Sequence, residues 1–142
     1  MVFHSVAALL GALATLLAPG TETKETTPKP CTEWTGTVSG NDPSVSFTGR
    51  LCEDKSGHVK GTLTWSSNLS GMNVREVAGA WSSDHASLTM HDVAIVESKP
   101  KPGWRFCLVD EYDLNGDRSA LNGSYHSEAC HDTAHVTLSA TK

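Results

Sequence analysis

A row of polar side chains on the predicted inner faces of two strands could do chemistry. Between residues 104 and 114, even-numbered positions are apolar or aromatic with the exception of Asp110. Antiparallel pairing with the segment around residue 125 sets Asp110 against Ser127 and Tyr112 against Tyr125. A buried carboxylate must be hydrogen-bonded or paired, or else it takes up a proton. These four residues predict either a polar patch that recognises a small ligand, or a structural network inside the fold or open to water at its rim.

Four tryptophans and one arginine are predicted on the same inner face. Alternation along the strands turns inward Trp34, Trp65, Trp81 and Trp104. Such residues form either an aromatic cage around a ligand or an ordinary core. Arg75 shares the parity of Trp81, so we expect it at an open end of the fold, either as the partner of an anion or as a solvated rim side chain. With the polar row, these side chains make up the predicted ligand-binding set.

The remaining ionisable residues match no metal or catalytic motif. His131 and His135 would share one face of a strand, but about 13 Å apart at the strand rise, which is too far to bind one ion. The run from Asp113 to Ser124 has the opening spacing of a calcium loop, yet arginine replaces its sixth-position glycine and serine its last-position glutamate. A nucleophile-elbow sequence is absent from the chain. The sequence therefore predicts no metal, no cofactor and no catalytic residue.

Short strands must position these side chains. From residue 34 onward, alternating runs are separated by turn residues, and no helical period is sustained. Eight strands are predicted, at 34–38, 44–52, 58–65, 74–81, 86–91 with a continuation to 96, 104–114, 121–127 and 135–140. A glycine recurs inside five of these strands, as expected where a sheet bends sharply. The fold class is therefore all-β, a small antiparallel up-and-down meander closed into an eight-stranded barrel with two disulfides.

The first cysteine hairpin has a register that can be tested, because opposed residues in an antiparallel pair have a constant sum of residue numbers. Pairing Cys31 with Cys52 centres the turn on residues 41 and 42. The same register covers Gly49 with Trp34, the aromatic rescue typical of bent sheets, and turns the cysteines to the opposite face. We therefore predict a disulfide between Cys31 and Cys52 on the outside of the barrel.

The register of the second cysteine hairpin can be tested in the same way. Pairing Cys107 with Cys130 centres the turn in the run NGDRS and sets Arg105 against Asp132. Opposite charges then meet across the pair, as stable antiparallel registers favour. We predict a second external disulfide here, and each disulfide closes a loop of about 20 residues that contributes on the order of 3 kcal/mol.

The runs EWTGTVSG, GHVKGTLTW and REVAGAW resemble the opening strands of avidin-type barrels, with lipocalins as more distant relatives. The resemblance covers residues 33 to 81 and concerns architecture. It implies an up-and-down barrel that holds a ligand. The second half of the chain lacks the C-terminal avidin signature, so no biotin-contacting residue is carried over.

The N-terminal segment is typical of an exported protein. Residues 1–20 contain no Asp, Glu, Lys or Arg, and an apolar run ends in a small-residue pattern with cleavage expected after Gly20. Residues 21–30 are a Thr- and Pro-rich run without apolar side chains, which predicts a disordered linker before a single domain at 31–142. Four cysteines agree with a secreted location, extracellular or periplasmic. In a eukaryotic host, Asn68 is the better placed of two glycosylation sequons.

Charge narrows the partners further. The net charge of −5 comes from interspersed acidic and basic residues, which argues against nucleic acid or an anionic membrane as the partner. We expect no membrane insertion of the mature form. The sequence favours a secreted non-enzymatic barrel that binds a small ligand inside. The alternative is an extracellular interaction or surface protein, in which the barrel is solid and exposed loops recognise another protein.

Overall fold

A computed structural model describes residues 30–40, 42 and 44–142 of the 142-residue chain. The predicted signal peptide and nearly all of the predicted linker lie outside this part of the chain. Alternating runs of apolar and polar residues form eight strands: β1 (Cys31–Ser39), β2 (Val45–Glu53), β3 (His58–Ser67), β4 (Gly71–Trp81), β5 (Ser87–Pro100), β6 (Asp110–Gly116), β7 (Ala120–Ser127) and β8 (Asp132–Ala140).

The eight strands close into one antiparallel barrel. Each strand pairs with the next along the chain, and β8 returns to pair with β1, where Trp34 lies opposite Ala140. The predicted fold class is therefore confirmed. Among the described residues, no helix is long and apolar enough to span a membrane.

Both cysteine hairpins have the predicted register. Trp34 lies opposite Gly49 in the first hairpin, and the disulfide Cys31–Cys52 closes it. In the second hairpin Tyr112 lies opposite Tyr125, and the disulfide Cys107–Cys130 joins the residues just before β6 to the turn just after β7. Two disulfides are characteristic of proteins in oxidising compartments.

Glycine inside the strands permits the close approach that barrel curvature requires. A Cβ atom at Gly36 would overlap the carbonyl oxygen of Thr137 on β8, and one at Gly61 would overlap the carbonyl oxygen of Arg50 on β2. Aromatic rings cover the space that the missing side chains leave, since Phe47 lies opposite Gly36. The recurring glycine is thus a steric requirement of the bent sheet.

The prediction of a sixth strand at 104–114 is wrong for its first residues. β5 continues to Pro100 but pairs with β6 only from Ser87 to His91, because β6 begins at Asp110. Residues 101–109, which we call the mouth segment, form no strand and lead back from the end of β5 to β6. Trp104 is half-buried in this segment, and Leu108, assigned to the interior by alternation, is 41% exposed. Alternation continues here without a neighbouring strand to pair with.

The two ends of the barrel differ. At the end where β1 begins and β8 finishes, Trp34 and Trp81 pack with the aliphatic core. Arg118 covers this end, since its Nε and Nη2 donate to Glu53 at 2.9 and 2.6 Å and its guanidinium lies 5.7 Å from the Trp81 ring centroid. Only about 30 Å³ of space remains there. The opposite end, the mouth, lies beneath residues of the mouth segment.

Replacing Gly36 with alanine tests the curvature argument. The new methyl group would strike the backbone of β8, so we expect a loss of about 3 kcal/mol or a failure to fold, as for overpacked sites. Gly103→Ala is the control, because no atom lies within 4 Å of its Cβ position and only its φ of 86° is unfavourable, at a cost of about 1 kcal/mol. Urea unfolding of both variants provides the measurement. Equal losses would contradict the steric explanation.

Candidate binding site at the barrel mouth

A buried cluster of charges lies inside the barrel below the mouth. Arg75 on β4, Asp92 on β5 and Asp110 on β6 are each at most 2% exposed. Nη1 of Arg75 donates to Oδ2 of both aspartates. Its Nε donates to Asn73 Oδ1 at 2.6 Å, and the Tyr112 hydroxyl donates to Asp92 Oδ1 at 3.2 Å. One guanidinium therefore joins three strands.

The prediction of a solvated rim position for Arg75 is wrong. Parity assigned its side chain to the correct face but not to a depth, and the two carboxylates that hold it lie on β5 and β6. Its guanidinium carbon is 5.1 Å from the centroid of the Trp65 ring, a cation–π contact. The buried position depends on this combination of partners.

Sequence reasoning placed Asp110 correctly but did not identify Asp92. Asp110 faces the interior as predicted, and it is paired with Arg75. Asp92 was missed, although Leu88 and Met90 set the inward parity that it continues. The register of β4 and β5 shifts between Val74 and Arg75 and again between Glu76 and Val77. These irregularities change which residues of β4 and β5 lie opposite each other. Strand alternation alone therefore could not predict the contact between Asp92 and Arg75.

Two carboxylates share one guanidinium, and the pKa values of both lie above the ordinary value for aspartate. Burial raises the pKa of Asp92 to about 6; Arg75 acts against this and the charge of Asp110 adds to it. Burial also raises the pKa of Asp110, with Arg75 again opposing. Tyr112 has a pKa well above its ordinary value because of burial and the nearby Asp92. The cluster therefore binds a proton more readily than isolated aspartates do.

A small cavity of about 70 Å³ lies between this cluster and the mouth segment. Trp65 and Tyr125 belong to its barrel wall, with ring centroids 5.0 Å apart, and Arg75 also lines it. Trp104 and Phe106 line it from the mouth segment. The cavity is therefore aromatic on two sides and charged on a third.

The Cys107–Cys130 disulfide also lines the cavity, which corrects its predicted position outside the barrel. Arg105 and Asp132 line the same cavity, but they do not form the predicted ladder pair, since Asp132 lies opposite Ser127 on β7. The mouth segment crosses the end of the barrel here instead of continuing β6. The disulfide thereby fixes the mouth segment to the turn between β7 and β8.

The predicted ligand-binding residues divide into three groups. Four of them line the mouth cavity: Arg75, Trp65, Trp104 and Tyr125. Asp110, Tyr112 and Ser127 are buried and do not line it. Trp34 and Trp81 belong to the core at the opposite end of the barrel. The four tryptophans therefore do not converge on one place.

Some hydrogen-bonding capacity near the cavity is unused within the described part of the chain. The indole Nε1 of Trp65 is buried without a partner, and so is Nδ2 of Asn73. The side-chain hydrogen bonds of Arg75 to Asn73, Asp92 and Asp110 use its Nε and Nη1. Ser127 lies near enough to lower the pKa of Asp110, yet neither its Oγ nor Asp110 Oδ1 makes a hydrogen bond of standard geometry.

A rim carboxylate that sequence reasoning did not identify joins the turn after β1 to the end of β3. Asp42 is 6% exposed and accepts hydrogen bonds from the hydroxyls of Ser44, at 2.6 Å, and Ser67. Burial raises the pKa of Asp42, but these hydrogen bonds outweigh it and hold the pKa below its ordinary value. The short polar side chains of Asp42 and Ser44 in one turn were the available signal.

The structure also gives the positions of the histidines and of the glycosylation sequon that the sequence analysis considered. Among the residues that the structure describes, no group of three or more His, Cys, Asp or Glu side chains could hold a metal ion. His131 lies in the turn between β7 and β8, and His135 lies on β8 opposite Ser124. Asn68 is exposed in the turn between β3 and β4.

Stability should depend on pH through the buried cluster. Because the folded state raises the pKa of Asp92 to about 6, it holds this proton more tightly than the unfolded chain, and the stability gained is lost as pH rises from about 4 to 6. The lowered pKa of Asp42 and of Glu53 acts oppositely and removes stability at lower pH. We expect thermal unfolding to occur at a higher temperature near pH 5 than near pH 7.5. Asp92→Asn should reduce this difference, and a variant in which the difference is undiminished would contradict the assignment.

Removing the guanidinium should destabilise the barrel strongly. Arg75→Met leaves two buried carboxylates without their cation, for which we expect a loss of about 3–5 kcal/mol in urea unfolding at neutral pH. Arg50→Met is the matched control, because Arg50 pairs with Glu33 on the surface and should lose under about 1 kcal/mol. Adding Asp92→Asn and Asp110→Asn to Arg75→Met should restore part of the loss. Similar stability of the two single variants would rule out a structural role for the cluster.

Comparisons with known proteins leave the site to be interpreted on its own geometry. No protein-family model matches the chain, and no curated protein or solved structure is significantly similar to it. The closed antiparallel barrel of eight strands agrees with the architecture of avidin-like and lipocalin-like proteins. The agreement concerns architecture alone.

Proposed function

We propose that this protein is a secreted, non-enzymatic barrel that binds its ligand at the mouth and admits one small group of that ligand into the mouth cavity. The observation that carries the proposal is the cavity itself. It combines aromatic walls from Trp65, Tyr125 and Trp104 with the charged side chains of Arg75, Arg105 and Asp132, which line the same space. Apolar walls with a few convergent polar groups are the usual composition of a small-molecule site.

Binding at the mouth agrees better with the packing than binding deep in the barrel. Below the cavity, the interior is occupied by the charge cluster and by buried side chains such as Tyr112 and Leu114. A cavity of 70 Å³ has room for about two water molecules, whereas sites for whole drug-sized molecules measure about 300–1,000 Å³. The proposal therefore limits the enclosed part of the ligand to a few atoms.

The mouth segment supplies the variable part of the site. Functional contacts are often made by loops that a rigid scaffold positions, and this loop is fixed to β5 at one end and to the Cys107–Cys130 disulfide near the other. Its aromatic residues Trp104 and Phe106 are half-buried against the cavity. Substitutions there would alter recognition without disturbing the barrel ladder.

One observation favours a protein partner as the second candidate. Leu108 and Val109, next to the second disulfide, are 41% and 51% exposed. Val93 and Val96 on β5 are exposed at 55% and 58%. Exposed apolar side chains that adjoin, as Leu108 and Val109 do in the chain, mark contact sites for proteins. In that case the loops and not the cavity would carry recognition.

A fragment screen distinguishes the two candidates. Small neutral fragments titrated into isotope-labelled protein should shift the NMR signals of Trp65, Tyr125 and Trp104. Ala134→Leu should abolish these shifts, because Ala134 lines the cavity and the larger side chain would fill it. Trp81→Phe is the control at the opposite end of the barrel and should leave binding unchanged. Fragments that bind only near Val93 or Val109, or that bind Ala134→Leu equally well, would refute mouth binding.

A further inference from the structure

Aromatic rings on the wall of the mouth cavity favour a ligand group with positive charge. Four rings line this space, and they belong to Trp65, Trp104, Phe106 and Tyr125. The face of an aromatic ring carries partial negative charge, so a cation within about 6 Å of its centroid is stabilised. Trp65 already makes one such contact, because the guanidinium carbon of Arg75 is 5.1 Å from its ring centroid.

Carboxylates at the cavity outnumber the guanidinium groups. Asp132 lies on the wall, and so does Asp42, whose hydrogen bonds outweigh burial and lower its pKa. Arg75 also lies on the wall, but its single charge is already bonded to both Asp92 and Asp110. Even with one proton shared by this inner pair, whose pKa values burial raises, three carboxylates face Arg75 and one other guanidinium.

Arg105 is that other guanidinium, and it is the second basic side chain among the described residues that line the cavity. It is exposed on the mouth segment. Water and salt screen an exposed charge more than a buried one. Its positive charge therefore offsets the carboxylates only in part, and the charge balance of the cavity repels an anion and attracts a cation.

The titration of Tyr125 on the wall indicates the same negative potential. Burial raises the pKa of Tyr125, and the charges of Asp110 and Asp132 raise it further. Arg75 lowers this pKa, but its effect is smaller than that of either carboxylate. Negative neighbours oppose the loss of a proton in the same way as they favour the arrival of a cation.

The size and the walls of the cavity decide which kind of cation fits. A space of about 70 Å³ admits a group of about two or three non-hydrogen atoms. Hard metal ions need several converging oxygen ligands. In the described part of the chain, no group of three or more His, Cys, Asp or Glu side chains could hold a metal ion. A compact ammonium group on an alkyl chain matches both the charge and the aromatic walls.

We propose, on the basis of the mouth-binding function above, that the mouth cavity takes the ammonium end of a small primary amine. An ammonium group donates three hydrogen bonds, and the Asp132 carboxylate and the Tyr125 hydroxyl are acceptors on the wall. The first methylene groups of the ligand lie against the rings of Trp104 and Phe106, and the rest of it stays outside the barrel. The ligand class is therefore protonated alkylamines, and not carboxylic acids or alcohols.

Three small probes of different charge test the ligand class. Ethylammonium and ethanol have the same shape, and acetate carries the opposite charge. Each is titrated at neutral pH and constant ionic strength, with sodium chloride as the reference salt, into protein labelled with ¹⁵N in its tryptophan indoles. We expect ethylammonium to shift the Trp65 and Trp104 signals saturably, with a dissociation constant on the order of millimolar for so small a ligand. Ethanol and acetate should bind at least about tenfold more weakly, an effect the size of one charge contact.

Variants give the second arm of the experiment. Asp132→Asn removes a wall carboxylate and should weaken ethylammonium binding about fivefold, the effect of one partly screened charge pair, with ethanol binding unchanged. Asp113→Asn is the matched control, because Asp113 is exposed on β6 and does not line the cavity. Trp104→Leu, followed by the Trp65 signal, should weaken ethylammonium more than ethanol, since it removes a ring but keeps an apolar side chain. The probe series on the unaltered protein decides the charge preference even if a variant does not fold.

The outcomes separate this inference from the proposed function. Equal or tighter binding of ethanol or acetate at the mouth would overturn the amine class and leave mouth binding intact. Silence of both indoles toward ethylammonium, while neutral fragments shift mouth signals, would do the same. Undiminished ethylammonium binding in both Asp132→Asn and Trp104→Leu would place the amine elsewhere and would also overturn the inference. If no fragment, charged or neutral, shifts the mouth signals, the proposed function itself fails.

Discussion

The sharing of Arg75 between Asp92 and Asp110 is the interaction on which the mouth half of the barrel depends. β5 and β6 pair over only five residues, from Ser87 to His91, so backbone bonds alone do not hold them together near the mouth. The guanidinium on β4 bonds to a carboxylate on each of these strands and bridges the place where pairing stops. Buried ion pairs are costly to desolvate and are weak evidence of net stability, but breaking one is severe. The cluster thus acts as a specific connection between strands.

This connection also sets the floor of the candidate site. Arg75 is held through Nε and Nη1 by Asn73, Asp92 and Asp110, and the same residue lines the mouth cavity. The Trp65 ring lies over the guanidinium and between Phe47 and Tyr125, whose centroids are 5.2 and 5.0 Å from its own. Rigid aromatic neighbours of this kind keep a side chain in one orientation. The structural cluster and the candidate site therefore share a residue, and neither can change alone.

The sequence was sufficient to predict the strand register and the disulfides wherever the paired strands are neighbours in the chain. Alternation and the constant-sum rule placed Trp34 opposite Gly49 and Tyr112 opposite Tyr125, and with them both disulfides. These pairings are local to one hairpin, so a pattern within about 25 residues contains the information. The recurring glycine likewise indicated curvature before its cause, a carbonyl group of the next strand, was visible.

Where contacts join distant strands, the same reasoning did not suffice. Arg75 and Asp110 are 35 residues apart, and no periodicity within either strand indicates that one reaches the other. At Trp104 and Leu108 the alternation persisted although the chain had left the sheet, because a pattern of side chains does not report whether a partner strand exists. Strand alternation could have placed Asp92 on the inner face, but the two register shifts between β4 and β5 changed which residues lie next to it.

The arrangement of the strand ends has a practical consequence for orientation. β1 begins and β8 finishes at the end that Arg118 covers, since Trp34 lies opposite Ala140 there. The mouth cavity is at the other end of the same barrel. A molecule held on a surface through either strand end would therefore point the mouth of its barrel away from that surface.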